Sequence, residues 1–261
     1  MARVLAIANQ KGGVGKTTTS VNLAASLSAT KRRVLLIDLD PQGNATMGSG
    51  INKSELENSL YEVLMREVNA QSAILKTPGG CDILPANGDL TAAEIALLQE
   101  EDRETRLREI VQSLDHAYDY IVIDCPPSLN MLTINALVAA HGVIIPMQCE
   151  YYALEGLSAL VETIGAIGAS LNPALQIEGI LRTMYDPRSK LTLEVSGQLF
   201  THFGDKVYRT VVPRNIRLAE APSYGMPVLH YDRQSRGAVA YLALAGEMLR
   251  RNEQMRTEPA T

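Results

Sequence analysis

The sequence predicts a doubly wound α/β fold, a mostly parallel sheet with helices on both faces. Three observations carry that prediction. Short β-branched runs recur along the chain, several of them apolar without alternation, as strands buried on both faces of a parallel sheet read. Segments with helical spacing separate these runs. The ends of the runs collect polar, turn-forming residues, at the edge where ligands bind in such sheets.

In order, "RVLAIA" (3–8) predicts the first strand and "TTTSVNLAASLSA" (17–29) the first helix, with a glycine-rich turn between them. "RVLLIDLD" (33–40) and "CDILPA" (81–86) predict strands, and "LTAAEIALLQEEDRETRLREIVQSL" (90–114) keeps helical spacing along its length. "YDYIVIDCPPS" (118–128) and "GVIIPMQCE" (142–150) read as strands, "LEGLSALVETIGAIGASL" (154–171) as a helix, and "IEGILRTMYD" (177–186) and "DKVYRTVVP" (205–213) as the last strands. The alternation implies right-handed βαβ crossovers. One domain is expected over residues 1–251, followed by a polar, frayed tail over 252–261.

A chain of 261 residues with 46% hydrophobic content can bury one substantial core. Nothing approaches 18 consecutive apolar residues, and the N-terminus runs straight into "RVLAIAN" without a basic leader. The expectation is a cytoplasmic protein with no membrane partner. Cys81, Cys125 and Cys149 are odd in number, far apart and set in or beside apolar runs, so they read as buried thiols.

The net charge of −5 hides an asymmetry. Residues 182–236 hold nine Lys/Arg (Arg182, Arg188, Lys190, Lys206, Arg209, Arg214, Arg217, Arg233, Arg236) against five Asp/Glu, a net of +4. A basic segment on an acidic body can present a local anion-binding face.

The stretch "NQKGGVGKTTTS" (9–20) carries the strongest chemistry. A strict G-x-x-x-x-G-K-[ST] pattern fails because Gln10 stands at the first glycine position. The physical requirements survive. Gly12, Gly13 and Gly15, with Val14 between them, let the backbone wrap a polyphosphate and turn its N–H groups inward, and the helix starting near Lys16 points its positive end at the same place. Lys16 is then expected on the β- and γ-phosphates, with Thr17 on Mg²⁺ and Thr18 beside it. Asp124 closes the apolar strand "YIVID", where a carboxylate faces such a Mg²⁺ through water; a helix-capping role is the plain alternative. Asp38 and Asp40 fall on one side of the second strand's end by the period of two. They can organise Mg²⁺ and orient the attacking water, with Asp40 as the water-positioning residue and turn capping before Pro41 as the alternative.

Together, "KGGVGKTT", "DLDPQGNAT", "IDCPPSL", "PMQCEYYALEGL" and "VVPRNIRLAEAPSYGMPV" resemble the ParA/Soj family of chromosome-partitioning ATPases, within the deviant Walker A class of P-loop NTPases that includes MinD. The match runs from about Arg3 to Leu249. The resemblance implies an ATP/ADP- and Mg²⁺-dependent ATPase whose lysine at the position of Lys11 reaches the phosphates of a second subunit. ATP then holds a homodimer together. The bottom-up reading agrees in one respect: Lys16 serves the nucleotide in cis, so charge arriving from outside best satisfies Lys11. The family pattern also puts the loop holding Pro213 and Asn215 on the adenine, and it implies DNA binding without sequence preference through Arg188 and Arg217, with Lys190 and Arg214 as additions. A ParB-type centremere-binding partner that stimulates hydrolysis, and a place on the nucleoid, follow from the same resemblance. With the phosphate loop beginning at residue 9, no upstream helix-turn-helix domain is expected.

Rival readings each need a feature the sequence lacks. A MinD-like membrane switch needs an amphipathic C-terminus, whereas the last twelve residues offer Met255 and Pro259. An iron–sulfur dimer needs paired cysteines at one edge. A biosynthetic ligase or kinase needs an acceptor motif, and a non-enzymatic scaffold leaves Thr17, Asp40 and Asp124 without a task.

Overall fold

The protein is described by a computed structural model over residues 1–257, with side chains through Glu253. β1 (Arg3–Ile7) leads through the glycine-rich turn into α1 (Lys16–Ala29) and back to β2 (Val34–Asp38). Four short helices follow, α2 (Asn44–Gly48), α3 (Leu60–Leu64), α4 (Ala70–Ala73) and α5 (Leu90–Leu97), and enclose β3 (Leu75–Lys76) and β4 (Asp82–Leu84). Then come α6 (Arg106–Leu114), β5 (Tyr120–Asp124), α7 (Met131–Ala139), β6 (Gly142–Gln148), α8 (Ala153–Ser170) and β7 (Gln176–Tyr185). The last elements are α9 (Lys190–Phe203), β8 (Val207–Pro213), α10 (Ile216–Glu220), α11 (Val228–Tyr231) and α12 (Arg236–Thr257).

The sheet order is β3-β4-β2-β5-β1-β6-β7-β8, parallel at every junction except β3–β4. This is the doubly wound fold the sequence predicts. Two apolar layers sandwich the sheet: α3 and α5–α9 cover one face and α1, α11 and α12 the other. Such double coverage explains why β2 and β5 are buried at every residue. β3 went unread because two exposed residues carry no pattern.

Two boundaries differ from the prediction. The helical spacing over 90–114 is split into α5 and α6, because the acidic run Glu100–Glu101–Asp102 lies between them and is held in a turn. Arg66 and Arg106 both pair with Asp102, and Asn135 Nδ2 donates to the Arg103 carbonyl at 2.6 Å. The break lets Leu97 and Leu107 reach one core. At the other end, α12 runs to Thr257, into the segment expected as a polar tail. Arg251 joins this helix to the start of β8, donating to the carbonyls of Asp205 and Val207 at 2.7 and 3.0 Å. The rest of the expected tail, 258–261, lies outside the described residues.

α12 also closes the exposed edge of the sheet. Glu247 accepts from the backbone N–H groups of Arg209 and Thr210 at 2.8 Å each, so β8 does not present them as an open ladder. At Gly179 on β7 an added Cβ would lie 2.4 Å from the Tyr208 ring, so only glycine admits that buried tyrosine. Cys81, Cys125 and Cys149 are all buried free thiols, as expected. No described helix is long and apolar enough to cross a membrane.

Candidate nucleotide site and the basic surface beside it

The register places the chemistry. Ile7 pairs with Asp124 and Asp38 with Asp124, so β1, β2 and β5 end level with one another, and the turn 8–15 rises from the middle of that edge. Gly13 and Gly15 have φ of 72° and 89°, a left-handed backbone that other residues adopt only with strain. Gly15 is the N-cap of α1, so the helix's unpaired N–H groups open into the turn.

Lys16 is 7% exposed and its Nζ donates to the Lys11 carbonyl at 3.2 Å, which folds the side chain back over the loop. Burial lowers its pKa, against the pull of Asp124, Cys125 and Asp40. Asp124 is fully buried. Ser20 Oγ donates to its Oδ1 at 2.7 Å, while Oδ2 has no hydrogen-bond partner. Burial, then repulsion from Asp38, raises the Asp124 pKa, and the hydroxyls of Ser20 and Thr17 oppose the rise. A buried carboxylate oxygen without a hydrogen-bond partner, near Asp38 and Asp40, suits a divalent cation. Among the described residues no three His, Cys, Asp or Glu side chains could hold a metal alone.

The two other acids differ in kind. Asp38 accepts from Asp40 N at 3.2 Å on one oxygen and from Thr46 N and Oγ1 at 2.8 and 2.7 Å on the other. It ties the end of β2 to α2, which leaves little lone-pair capacity for an ion. Burial raises its pKa, and the Thr46 donors oppose this. Asp40 is 9% exposed and accepts from Gln42 N at 2.9 Å, so it does cap the turn before Pro41 while keeping its other oxygen outside that bond.

Lys11 stands on the lip. Its Nζ donates to Glu150 Oε2 at 2.6 Å, with both side chains 43% exposed. Lys11 therefore has a partner within its own chain, one that the sequence reading did not name. Glu150 lies past the end of β6, and its only sequence signal was the "QCEYY" motif. The next two residues, Tyr151 and Tyr152, are 75% and 72% exposed and meet edge to face with centroids 5.0 Å apart. Pro213 ends β8 opposite Tyr185, and Asn215 is the N-cap of α10, its Oδ1 buried with no hydrogen-bond partner. Thr18 lies in the first turn of α1, where its carbonyl accepts from Asn22 Nδ2 at 2.7 Å.

The candidate DNA residues cluster partly. Arg188 forms a fork to Asp186 at 2.9 Å on both arms, and Arg214 acts on the same carboxylate. The Arg188 hydrogen bonds hold the Asp186 pKa down to about 2. Lys190 opens α9 and is exposed. Arg217 pairs with Glu220 at 2.8 Å and Asp232 at 3.3 Å. The net +4 of residues 182–236 does not form one face. Arg182 is buried and donates to Ser196 and to the carbonyls of Tyr208 and Arg209. Lys206 and Arg209 lie at the start of β8, the opposite edge of the sheet.

A glycine-rich turn between a central strand and a buried helix, with a lysine at each end and acids on the neighbouring strand ends, defines a P-loop fold of the deviant Walker A type. The sequence profile of a family described as an AAA domain matches residues 2–177. The chain is 51% identical over 261 residues to the chromosome partitioning protein ParA of Caulobacter vibrioides, covering 99% of this chain and 98% of that protein. It is 52% identical over 249 residues to the sporulation initiation inhibitor protein Soj of Bacillus subtilis, covering 95% and 98%. Among solved structures it is similar to cobyrinic acid a,c-diamide synthase from Mycobacterium smegmatis with bound ADP and magnesium, at TM-score 0.87 and 40% identity over 100% and 99% of the two chains. The chain belongs to the ParA/Soj family of chromosome-partitioning ATPases.

Proposed function

We propose that this protein is an ATP-driven dimerising switch that holds DNA without sequence preference and releases it on hydrolysis. The observation that carries the reading is the placement of Lys11. It sits on the exposed rim of the phosphate loop, in a half-exposed ion pair with Glu150, which two exposed tyrosines follow in the chain. Exposed ion pairs are weak, so Lys11 can leave Glu150 for a stronger anion. Exposed aromatic residues beside Glu150 in the chain supply the contact area of an interface.

In this reading the N–H groups of Gly12, Gly13, Val14 and Gly15 and the start of α1 hold the phosphates. Lys16 neutralises the β- and γ-phosphates from within, and Lys11 does so from the second subunit. The Thr17 hydroxyl, with the Asp124 carboxylate near it, would hold a Mg²⁺, which would supply positive charge against the phosphates. Asp40 orients the attacking water, and Asp38 holds the Asp40 turn in place through the Asp40 N–H. Asn215 Oδ1 accepts from the adenine amino group, with Pro213 against the ring. Loss of the γ-phosphate removes the charge that both lysines grip and opens the dimer. Arg188, Lys190, Arg214 and Arg217 meet DNA phosphates, doubled by dimerisation. A ParB-type partner accelerates turnover, and the working place is the nucleoid within the cytoplasm.

Light scattering tests this. The mass is expected to double in MgATP but not MgADP, and the doubled form alone takes up a random-sequence duplex, less so at higher salt. An unchanged mass with DNA ignored would overturn the reading. The likeness to cobyrinic acid a,c-diamide synthase motivates a ligase as the second reading, and phosphate release from ATP without any acceptor substrate separates the two.

A further inference from the structure

β7 ends against the phosphate loop. Thr183 is 3% exposed, and its Oγ1 donates to the carbonyl of Val14 at 2.8 Å. Its Cβ and methyl face Gly15, 3.9 and 3.8 Å from where a Cβ would stand. The peptide between Val14 and Gly15 is planar and trans, so its C=O and N–H point in opposite directions. Pulling the Val14 carbonyl out toward β7 therefore turns the Gly15 N–H in toward the loop's centre. Gly15, at φ 89°, has no side chain to bias that plane, and glycine accepts either sign of φ. An outside anchor is needed, and Thr183 supplies one.

The anchor is itself held. Thr183 pairs with Gln148 of β6, and the next residue, Met184, has φ 48°, a left-handed turn unusual for a side chain of that size. The start of the turn has a matching anchor on β6, where Asn9 Nδ2 donates to the Pro146 carbonyl at 2.8 Å.

We propose that Thr183 is a positioning residue for nucleotide binding, fixing the Val14–Gly15 peptide so that the Gly15 N–H meets the nucleotide's β-phosphate. The inference rests on the nucleotide reading above but not on dimerisation or DNA. The test is titration of MgADP, and of AMP by competition, into wild type, Thr183→Val and Thr183→Ser. Thr183→Val keeps the shape and removes the donor; it should weaken MgADP about tenfold, the scale of one hydrogen bond. Thr183→Ser should restore binding to within about threefold, having kept the donor. AMP, which lacks the β-phosphate, should bind all three alike, whereas general damage would weaken it too. Equal MgADP affinity of Thr183→Val and wild type, or equal losses for AMP and MgADP, would overturn the role of Thr183 and leave the nucleotide site standing. Failure of wild type to bind MgADP would overturn both.

Discussion

The acids at the ends of β2 and β5 and the arginines beyond β7 and β8 are two charge clusters on one edge of one sheet, built in opposite ways. Asp38 and Asp124 are fully buried, and each is held by hydroxyl or backbone donors from another element. Arg188 is 88% exposed and bonded to an acid two residues away, and Arg217 to one three residues away. The first cluster is a preformed site whose charge is costly until a cation and phosphates arrive. The second is a surface of local, exchangeable pairs, from which a polyanion can take the arginines at little cost. In the proposed switch, the first would read the nucleotide state and the second would be the contact that lets go.

The largest effect falls on the buried side. Lys16→Ala removes the buried ammonium and should lower MgADP affinity on the order of 100-fold or more, the loss of two charge-assisted hydrogen bonds, read by calorimetry. Asp40→Ala should lower phosphate release about 100-fold or more while the MgATP dimer persists on DNA, since the acid acts on water rather than on binding. Wild-type hydrolysis by that variant would remove Asp40 from the water-positioning role. On the exposed side, Arg217→Ala should weaken DNA binding alike for all sequences and reduce the salt slope by about 1, with the ATP dimer intact. Loss of the dimer instead would move Arg217 to the interface.

The smallest effect concerns the charge of the buried pair. Asp38 and Asp124 have pKa values raised from 3.8 to about 6 and about 8. A carboxyl that keeps its proton longer when folded stabilises the fold fully below the unfolded pKa, and this contribution fades as pH rises through the folded pKa. Without nucleotide, the melting temperature should fall between pH 5 and pH 8, most steeply in the lower part of that range, where both carboxyls keep their protons only in the folded chain, and less steeply as the pH nears 8. Asp124→Asn should flatten the fall, and an unchanged pH profile would deny that this pair carries the charge cost.

Much of the buried cluster was legible in the sequence because its residues sit at fixed offsets from strand ends. Gly13, Gly15, Lys16, Asp38 and Asp124 are read from the elements they terminate. The exposed cluster was less so. The basic count over 182–236 could not tell that Arg182 points into the core or that Lys206 and Arg209 lie at the first end of β8 while Arg214 follows its last residue. Glu150 and Thr183 were missed for another reason: each acts across the sheet, on residues 139 and 169 positions away, and no local pattern records that. The break within 90–114 was hidden because helical spacing continues through a turn held by Arg66, Arg106 and Asn135 from outside it.

The central claim is that Lys11 acts on a second subunit's nucleotide. The direct test is the mass of Lys11→Ala beside wild type, each in saturating MgATP, after MgADP titration has shown equal binding. Wild type should double its mass while Lys11→Ala stays single. If the variant doubles as wild type does, Lys11 belongs to its own chain's Glu150 and the dimer is held by something else.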